Sequence, residues 1–277
     1  MKTEDILSFE LLNELYSEKK FSDTEIADQF HLSLGQVHRL RNKYRIRTLE
    51  QYERHRKQRL DEQETALIVG LMLGDGHMRM RSGNDTYPQL MIEQSVKHRE
   101  YIYWLKDCLK DWIFDPDKAI HQNRKQHENG NVYHSLSFQT VCNPSFFQIY
   151  HAFTINGKKR LADYDFIRAN FNIVSLAVWI MDDGTLTGNC KRNMIATNNF
   201  TFEEVNFLRS LLEERFGLKT WICKRTGKDH INYEIAFDRK SSRVLSDLLR
   251  DIVVPEMRYK LLPSETTNDT ELNVPKV

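Results

Sequence analysis

Two apolar segments, each running into Asp-Gly, constrain this chain more than any other feature. Ala66-Leu-Ile-Val-Gly-Leu-Met-Leu-Gly-Asp-Gly76 carries no charge before Asp75, and Ser175-Leu-Ala-Val-Trp-Ile-Met-Asp-Asp-Gly184 repeats the pattern. Each reads as a helix with an aspartate at its end. A helix C-terminus carries partial negative charge, so a carboxylate there does not serve stability. Ala66, Gly70 and Gly74 lie four apart and line one stripe, where small residues let a second helix approach closely. Glycine inside a helix costs about 1 kcal/mol relative to alanine, so the stripe needs a packing reason. The natural partner is the helix predicted over 175–182. Packed side by side and parallel, the two helices end together, with Gly76 and Gly184 as left-handed caps. Asp75 and Asp183 then meet at the negative ends of two dipoles.

Such a pair repels itself unless a cation is present. Carboxylates, helix-end carbonyls and water are hard ligands suited to Mg²⁺, for which Mn²⁺ can substitute. Divalent ions held there suit phosphodiester hydrolysis: one helps generate hydroxide, another steadies the leaving oxygen. For one copy an ordinary Asp-Gly turn explains the sequence better; two matched copies favour a metal site.

The resemblance between the halves extends further. After each Asp-Gly come strands, an amphipathic helix, more strands and a short basic segment, Gly157-Lys-Lys-Arg160 or Arg258-Tyr-Lys-Leu261. Tyr101, Leu105 and Leu109 shifted by 103 residues fall on Glu204, Leu208 and Leu212, whereas the aspartates are 108 apart, so loops differ. This implies a pseudo-two-fold α+β body in one chain.

The strands alternate. His77, Arg79 and Arg81 oppose Met78 and Met80; Tyr133, Ser135, Ser137 and Gln139 oppose Leu136 and Phe138. Ile231, Tyr233, Ile235 and Phe237 are expected inward, against Asn232, Glu234 and Asp238. A single polar strand face is ordinarily solvated surface. Several such faces in both halves make a nucleic-acid platform, with His77, Arg79, Arg81, Ser135, Ser137, Gln139, Lys191, Asn193, Arg225 and Asn232 as candidate contacts. Charge is a constraint here: the 277 residues carry a net charge of +1, so any nucleic-acid surface is local. The cysteines Cys108, Cys142, Cys190 and Cys223 are far apart and read as reduced thiols, not a zinc site. No apolar run reaches membrane-spanning length.

At this point the sequence resembles a known family. Ile68 to Gly76 and Leu176 to Gly184 are similar to the two motifs of single-chain LAGLIDADG homing endonucleases. Met91-Ile-Glu-Gln-Ser95, Asn143-Pro-Ser-Phe146, Gly157-Lys-Lys159 and Arg258-Tyr-Lys-Leu261 resemble further family blocks. The resemblance implies two αββαββα repeats, here 61–165 and 166–263. Their motif helices form the interface, and their sheets form a saddle over a long, pseudo-palindromic double-stranded DNA site. It implies Asp75 and Asp183 as catalytic, metal-binding carboxylates, assisted by the carbonyls of Gly74 and Asp182. Lys159 and Lys260 would support the scissile phosphates, and Gln94 would position solvent. The counterpart of Gln94 is open between Thr197, by the shift of 103, and Asn198, by local motif; Asn198 is carried as the catalytic candidate. Asp182 places a second acid beside Asp183, and Val178 and Trp179 depart from the usual motif. The family expectation is a monomer that cuts across the minor groove, cytoplasmic or nucleoid-associated, and free-standing or intron-encoded.

Residues 1–48 are helical in pattern, 49–60 form a basic linker, and 264–277 form a loose tail. Thr24 to Leu40 is similar to a helix-turn-helix: Ile26, Ala27, Phe30, Leu32, Val37 and Leu40 would pack it, and His31 stands where glycine is usual. The exposed side of 34–44 offers Gln36, His38, Arg39 and Lys43 to DNA, and residues 34–60 hold nine Lys/Arg against two Glu. Two rivals use the same scaffold: a maturase whose partner is intron RNA, and a DNA-binding regulator without catalysis. The retained pairs Asp75/Asp183 and Lys159/Lys260 argue against loss of catalysis.

Overall fold

The computed structural model describes residues 3–19, 21–46, 58–80, 87–126, 130–187, 192–226 and 231–264. The chain divides between Arg59 and Leu60 into two units, each with its own core.

The first unit is all-helical: α1 (Thr3–Ile6), α2 (Phe9–Ser17), α3 (Asp23–Gln29) and α4 (Leu34–Tyr44). Ser22 and Ser33 cap α3 and α4 through reciprocal capping boxes with Glu25 and Gln36, satisfying amide groups that helix starts leave unpaired. The connection has His31 in the left-handed region at φ 53°, which explains why glycine suits this turn. Ile26, Ala27, Val37 and Leu40 are buried, with Phe30 and Leu32 packed on them as expected. Most of the expected linker, 49–57, and nearly all of the expected tail lie outside the described residues.

The second unit opens with α5 (Glu62–Leu73), then β1 (His77–Met80), β2 (Pro88–Ser95), α6 (Arg99–Cys108), β3 (His121–Gln126), β4 (Val132–Gln139) and α7 (Phe147–Ala152). A small hairpin, β5 (Thr154–Ile155) and β6 (Lys158–Lys159), and α8 (Tyr164–Asn170) lead to the second copy. That copy is α9 (Ile173–Asp183), β7 (Gly184–Thr187), β8 (Arg192–Ala196), α10 (Phe202–Phe216), β9 (Thr220–Thr226), β10 (Ile231–Phe237) and α11 (Arg239–Leu249). Both copies read αββαββα. Their antiparallel sheets have matching orders, β1-β2-β4-β3 and β7-β8-β10-β9. The boundary expected at residue 165 falls inside α8.

The alternation reading holds for most strands. Met78, Leu136, Phe138, Ile235 and Phe237 are buried beneath the helices. Met80 and Ile231 are corrections: both are exposed, at 39% and 48%, because each lies at a strand end beyond the reach of the packed helices. No helix among the described residues is long and apolar enough to cross a membrane.

Candidate active site

Helices α5 and α9 are apolar around most of their circumference, and each must be covered on all sides. They cover each other. Ser175 Oγ donates to the Ala66 carbonyl at 2.7 Å near the helix starts, and Asp75 N–H donates to Asp182 Oδ2 at 2.9 Å at the other end. The helices therefore run parallel, as the small-residue stripe predicts. A Cβ at Gly70 would lie 2.6 Å from the Ser175 carbonyl oxygen, and one at Gly74 would collide with the Asp182 side chain.

The expected left-handed caps are not present. Gly184 has φ −71° and ψ 146°. Among the described residues, the glycines with positive φ are Gly130, Gly157 and Gly217. Gly76 and Gly184 serve close approach instead: a Cβ would lie 2.8 Å from Leu71 O and 2.5 Å from Ile180 O respectively. The chain leaves each helix by folding tightly back over its last turn.

Two lysines reach this seam from different elements. Lys159 sits on the β5–β6 hairpin, whose turn residues Asn156 and Gly157 have φ 51° and 73°, the signs a two-residue type I′ turn requires. Its ammonium donates to the carbonyls of Gly74 and, at 3.0 Å, Gly76. Lys260 ends the 3₁₀ turn Pro255–Lys260 and donates to the carbonyls of Met181 and, at 2.7 Å, Asp182. Burial pushes both ammonium groups down; the three neighbouring aspartates oppose this.

Gln94 is 5% exposed and donates to Asp75 Oδ2 at 3.0 Å and Asp182 Oδ1 at 3.1 Å. The Tyr101 hydroxyl also donates to Asp182 Oδ1, at 2.8 Å. The Asp182 carboxylate is thus spent on three donors, which favours Asp183 as the ligand of the second motif. Burial and then the Asp75 charge hold the Asp182 carboxyl well above the usual range. The same two causes push Asp183 up to about 7, against the pull of Lys159 and Lys260. Three carboxylates face two ammonium groups, leaving one surplus negative charge for a proton or cation.

Strand register decides the counterpart of Gln94. Gly184 pairs with Ile195, and His77 with Met91, so Thr197 occupies the equivalent place. Its hydroxyl is buried and donates to the Tyr233 carbonyl. Asn198 is exposed and one position further along.

Of the candidate DNA contacts, His77, Arg79 and Arg225 are exposed, and Ser135, Ser137, Gln139 and Asn232 are half-buried. Arg81 and Lys191 lie outside the described residues. Asn193 is a correction: it is fully buried, its amide donates to Lys260 O at 2.7 Å, and its backbone N–H meets Ser242 Oγ. It positions a lysine from behind the sheet and is not a base reader. Asn193→Ala is expected to cost about 1–3 kcal/mol, read as a lower melting temperature, and to leave base preference unchanged. In the first unit, Gln36 caps α4 and reaches Thr3, His38 pairs with Asp23 at 2.7 Å, and Lys43 with Glu4 at 2.7 Å. Arg39 folds back onto the Gly35 carbonyl.

The residues missed by the sequence reading are Tyr101, assigned only to the core, and His98, whose Nδ1 lies 3.4 Å from Gln94 Oε1. A tyrosine instead of leucine on a fully buried helix stripe was the available signal.

Comparison with known proteins agrees with this geometry. The family model described as LAGLIDADG DNA endonuclease family matches residues 65–245. The cytochrome b mRNA maturase bI2 of Debaryomyces hansenii is 29% identical over 202 residues, 73% of this chain and 74% of its own length. The intron-encoded endonuclease ai4 of Dictyostelium discoideum is 35% identical over 137 residues, 50% of this chain and 83% of its own. The structure of the homing endonuclease I-WcaI bound to its DNA recognition sequence superposes with TM-score 0.68 at 24% identity, covering 78% of this chain and 93% of that one.

Proposed function

The chain belongs to the LAGLIDADG DNA endonuclease family, and from that premise we propose that it is a site-specific homing endonuclease. It makes a double-strand break in a long DNA target by Mg²⁺-dependent phosphodiester hydrolysis. The observation that carries this reading is the convergence of Asp75, Asp183, Lys159 and Lys260 at one seam between the repeats.

The donor set fits a hard divalent ion. Asp75 is exposed, Asp183 is coupled to it, and surplus negative charge calls for a cation. Among the described residues no group of three or more His, Cys, Asp and Glu side chains forms a metal cage. Most ligands would therefore be water and phosphate oxygens, the usual situation for Mg²⁺ on nucleic-acid substrates. Asp75 and Asp183 would hold the ion, with the Gly74 and Asp182 carbonyls near it. When bound, it supplies charge neutralisation and a more acidic water.

The chain's own groups do the rest. Lys159 and Lys260 place positive charge where phosphate charge develops. Gln94 fixes the Asp75 carboxylate through Nε2. Asp182 ties the end of α5 to α9, so the two motif ends cannot drift apart. The polar sheet faces lie along the duplex, and the first unit adds a second DNA contact. There Gln36, His38 and Lys43 must exchange their present partners before reading bases.

The test is incubation with plasmid carrying the reading frame's insertion site without its intervening sequence. Linear product with Mg²⁺ or Mn²⁺, abolished by chelation, is expected. Tight binding without cutting in either metal would instead indicate a regulator. The maturase reading is kept because the Debaryomyces relative carries that name; intron RNA bound more tightly than duplex DNA would favour it.

A further inference from the structure

The open faces of the two sheets differ chemically at equivalent positions. Register places Thr185 where the first sheet has His77, and Ala236 where it has Gln139. Ala196 replaces Glu93, and Cys223 replaces His121. At these four positions the second sheet carries shorter and less polar side chains than the first, while Met194 matches Met91, and Glu234, Asn232 and Arg225 keep the outer part of the face polar.

These residues gather with Met194 and Trp221. Trp221 pairs with Ala236, and Ala236 with Met194, so all three share one face, opposite the buried Ile195 and Ile235. Met194 and Ala236 are only 8% and 3% exposed although they stand apart from the main core cluster. Together with Thr187, Arg192 and Cys223 they line a concavity of about 540 Å³. The Arg192 guanidinium lies 5.7 Å from the centre of the Trp221 ring, and Trp221 is 39% exposed. An apolar floor with a cationic rim, on a face otherwise polar, marks a binding surface.

We propose that this patch reads the C5-methyl group of thymine in the major groove, making the second repeat's half-site a methyl-dependent one. The inference rests on the reading of the protein as a DNA endonuclease. The thymine methyl is the apolar group on the major-groove edges of the four ordinary bases, so an apolar recess among cations fits that edge. Arg192 is held over the indole with its N–H edges available to phosphate or an adjacent guanine. The first sheet, where Asn123 donates to Ser137 Oγ at 2.8 Å and Ser135 donates to Glu93, reads mainly by polar contacts instead.

The experiment selects duplexes from a randomised pool with the unmodified full chain, then replaces each thymine of the selected site by deoxyuridine. Loss of the methyl at one or more positions of one half-site weakens binding by roughly 3–10-fold; the other half-site changes by less than twofold. Replacing cytosine by 5-methylcytosine where the site tolerates cytosine strengthens binding in the sensitive half only. Met194→Ala brings the thymine-to-uracil ratio toward one. Ala236→Gln, which restores the first sheet's residue, shifts that position toward adenine and identifies the half-site on the second sheet. A duplex that is bound and cut yet tolerates uracil throughout overturns this inference and leaves the endonuclease reading standing. Failure to select any duplex overturns both.

Discussion

Asp183→Asn is expected to lower cleavage of the target duplex by about a thousandfold or more, while the metal-free variant melts at a higher temperature than the parent chain at pH 8. These opposite effects share one cause. The Asp183 carboxyl stands at about 7 in the folded protein, against an ordinary 3.8, because burial and the Asp75 charge disfavour its ionised form. A raised carboxylate binds more protons folded than unfolded between those values. Its contribution to stability is therefore fully present below about 3.8 and is lost as pH rises to about 7. Above that pH the parent holds an ill-placed charge that asparagine lacks. Discounted for the partial exposure of the site, the gain is on the order of 1–2 kcal/mol, a few degrees in a domain of this size. Mg²⁺ should stabilise the parent at pH 8 more than at pH 5.5, where protons compete, and should do much less for the variant. Thermal melts at both pH values, with and without Mg²⁺, and single-turnover cleavage are the measurements. A variant that cuts normally, or melts lower than the parent at pH 8, would refute the role given to this carboxylate.

Gly70→Ala should damage the second unit strongly, because the methyl group enters the contact between its two central helices. On helix propensity alone it should help, by about 1 kcal/mol. The added Cβ would lie 2.6 Å from the Ser175 carbonyl oxygen and 2.9 Å from both Ser175 Cα and Val178 Cβ. Two of these atoms are backbone, which cannot rotate aside. The helices must separate, loosening the Ser175–Ala66 and Asp75–Asp182 hydrogen bonds and moving the carboxylates off register. Overpacking of this kind costs about 1–3 kcal/mol, occasionally more, so a fall in melting temperature of roughly 3–10 °C is expected. Cleavage should fall further than stability explains, even at temperatures where the variant is folded. Gly35→Ala is the control: nothing lies within 4 Å of a Cβ there, and this change should not destabilise the first unit. Equal tolerance at both positions would mean that the helix contact does not set the geometry of the seam.

The family resemblance supplied the association of Lys159 and Lys260 with the two aspartates; the residues by themselves determined the duplicated body, the pairing of α5 with α9 and the buried stripes of α6 and α10. These are set by periodicity and small-residue spacing, local signals that each half repeats, so one copy corroborates the other. Tertiary structure decided what single polar residues do. Asn193 alternates like a surface residue, yet lies beneath the chain segment carrying Lys260. Gln94, Tyr101 and Asp182 come from β2, α6 and α9, and their shared hydrogen bonds exist only once the repeats have packed. Gly76 and Gly184 read as left-handed caps, but contact with the preceding helical turn is what excludes a side chain there. Apolar burial is non-directional and sums over many residues, so a pattern is enough to foresee it. A hydrogen bond depends on distance and angle between groups far apart in sequence, and only the folded backbone fixes those.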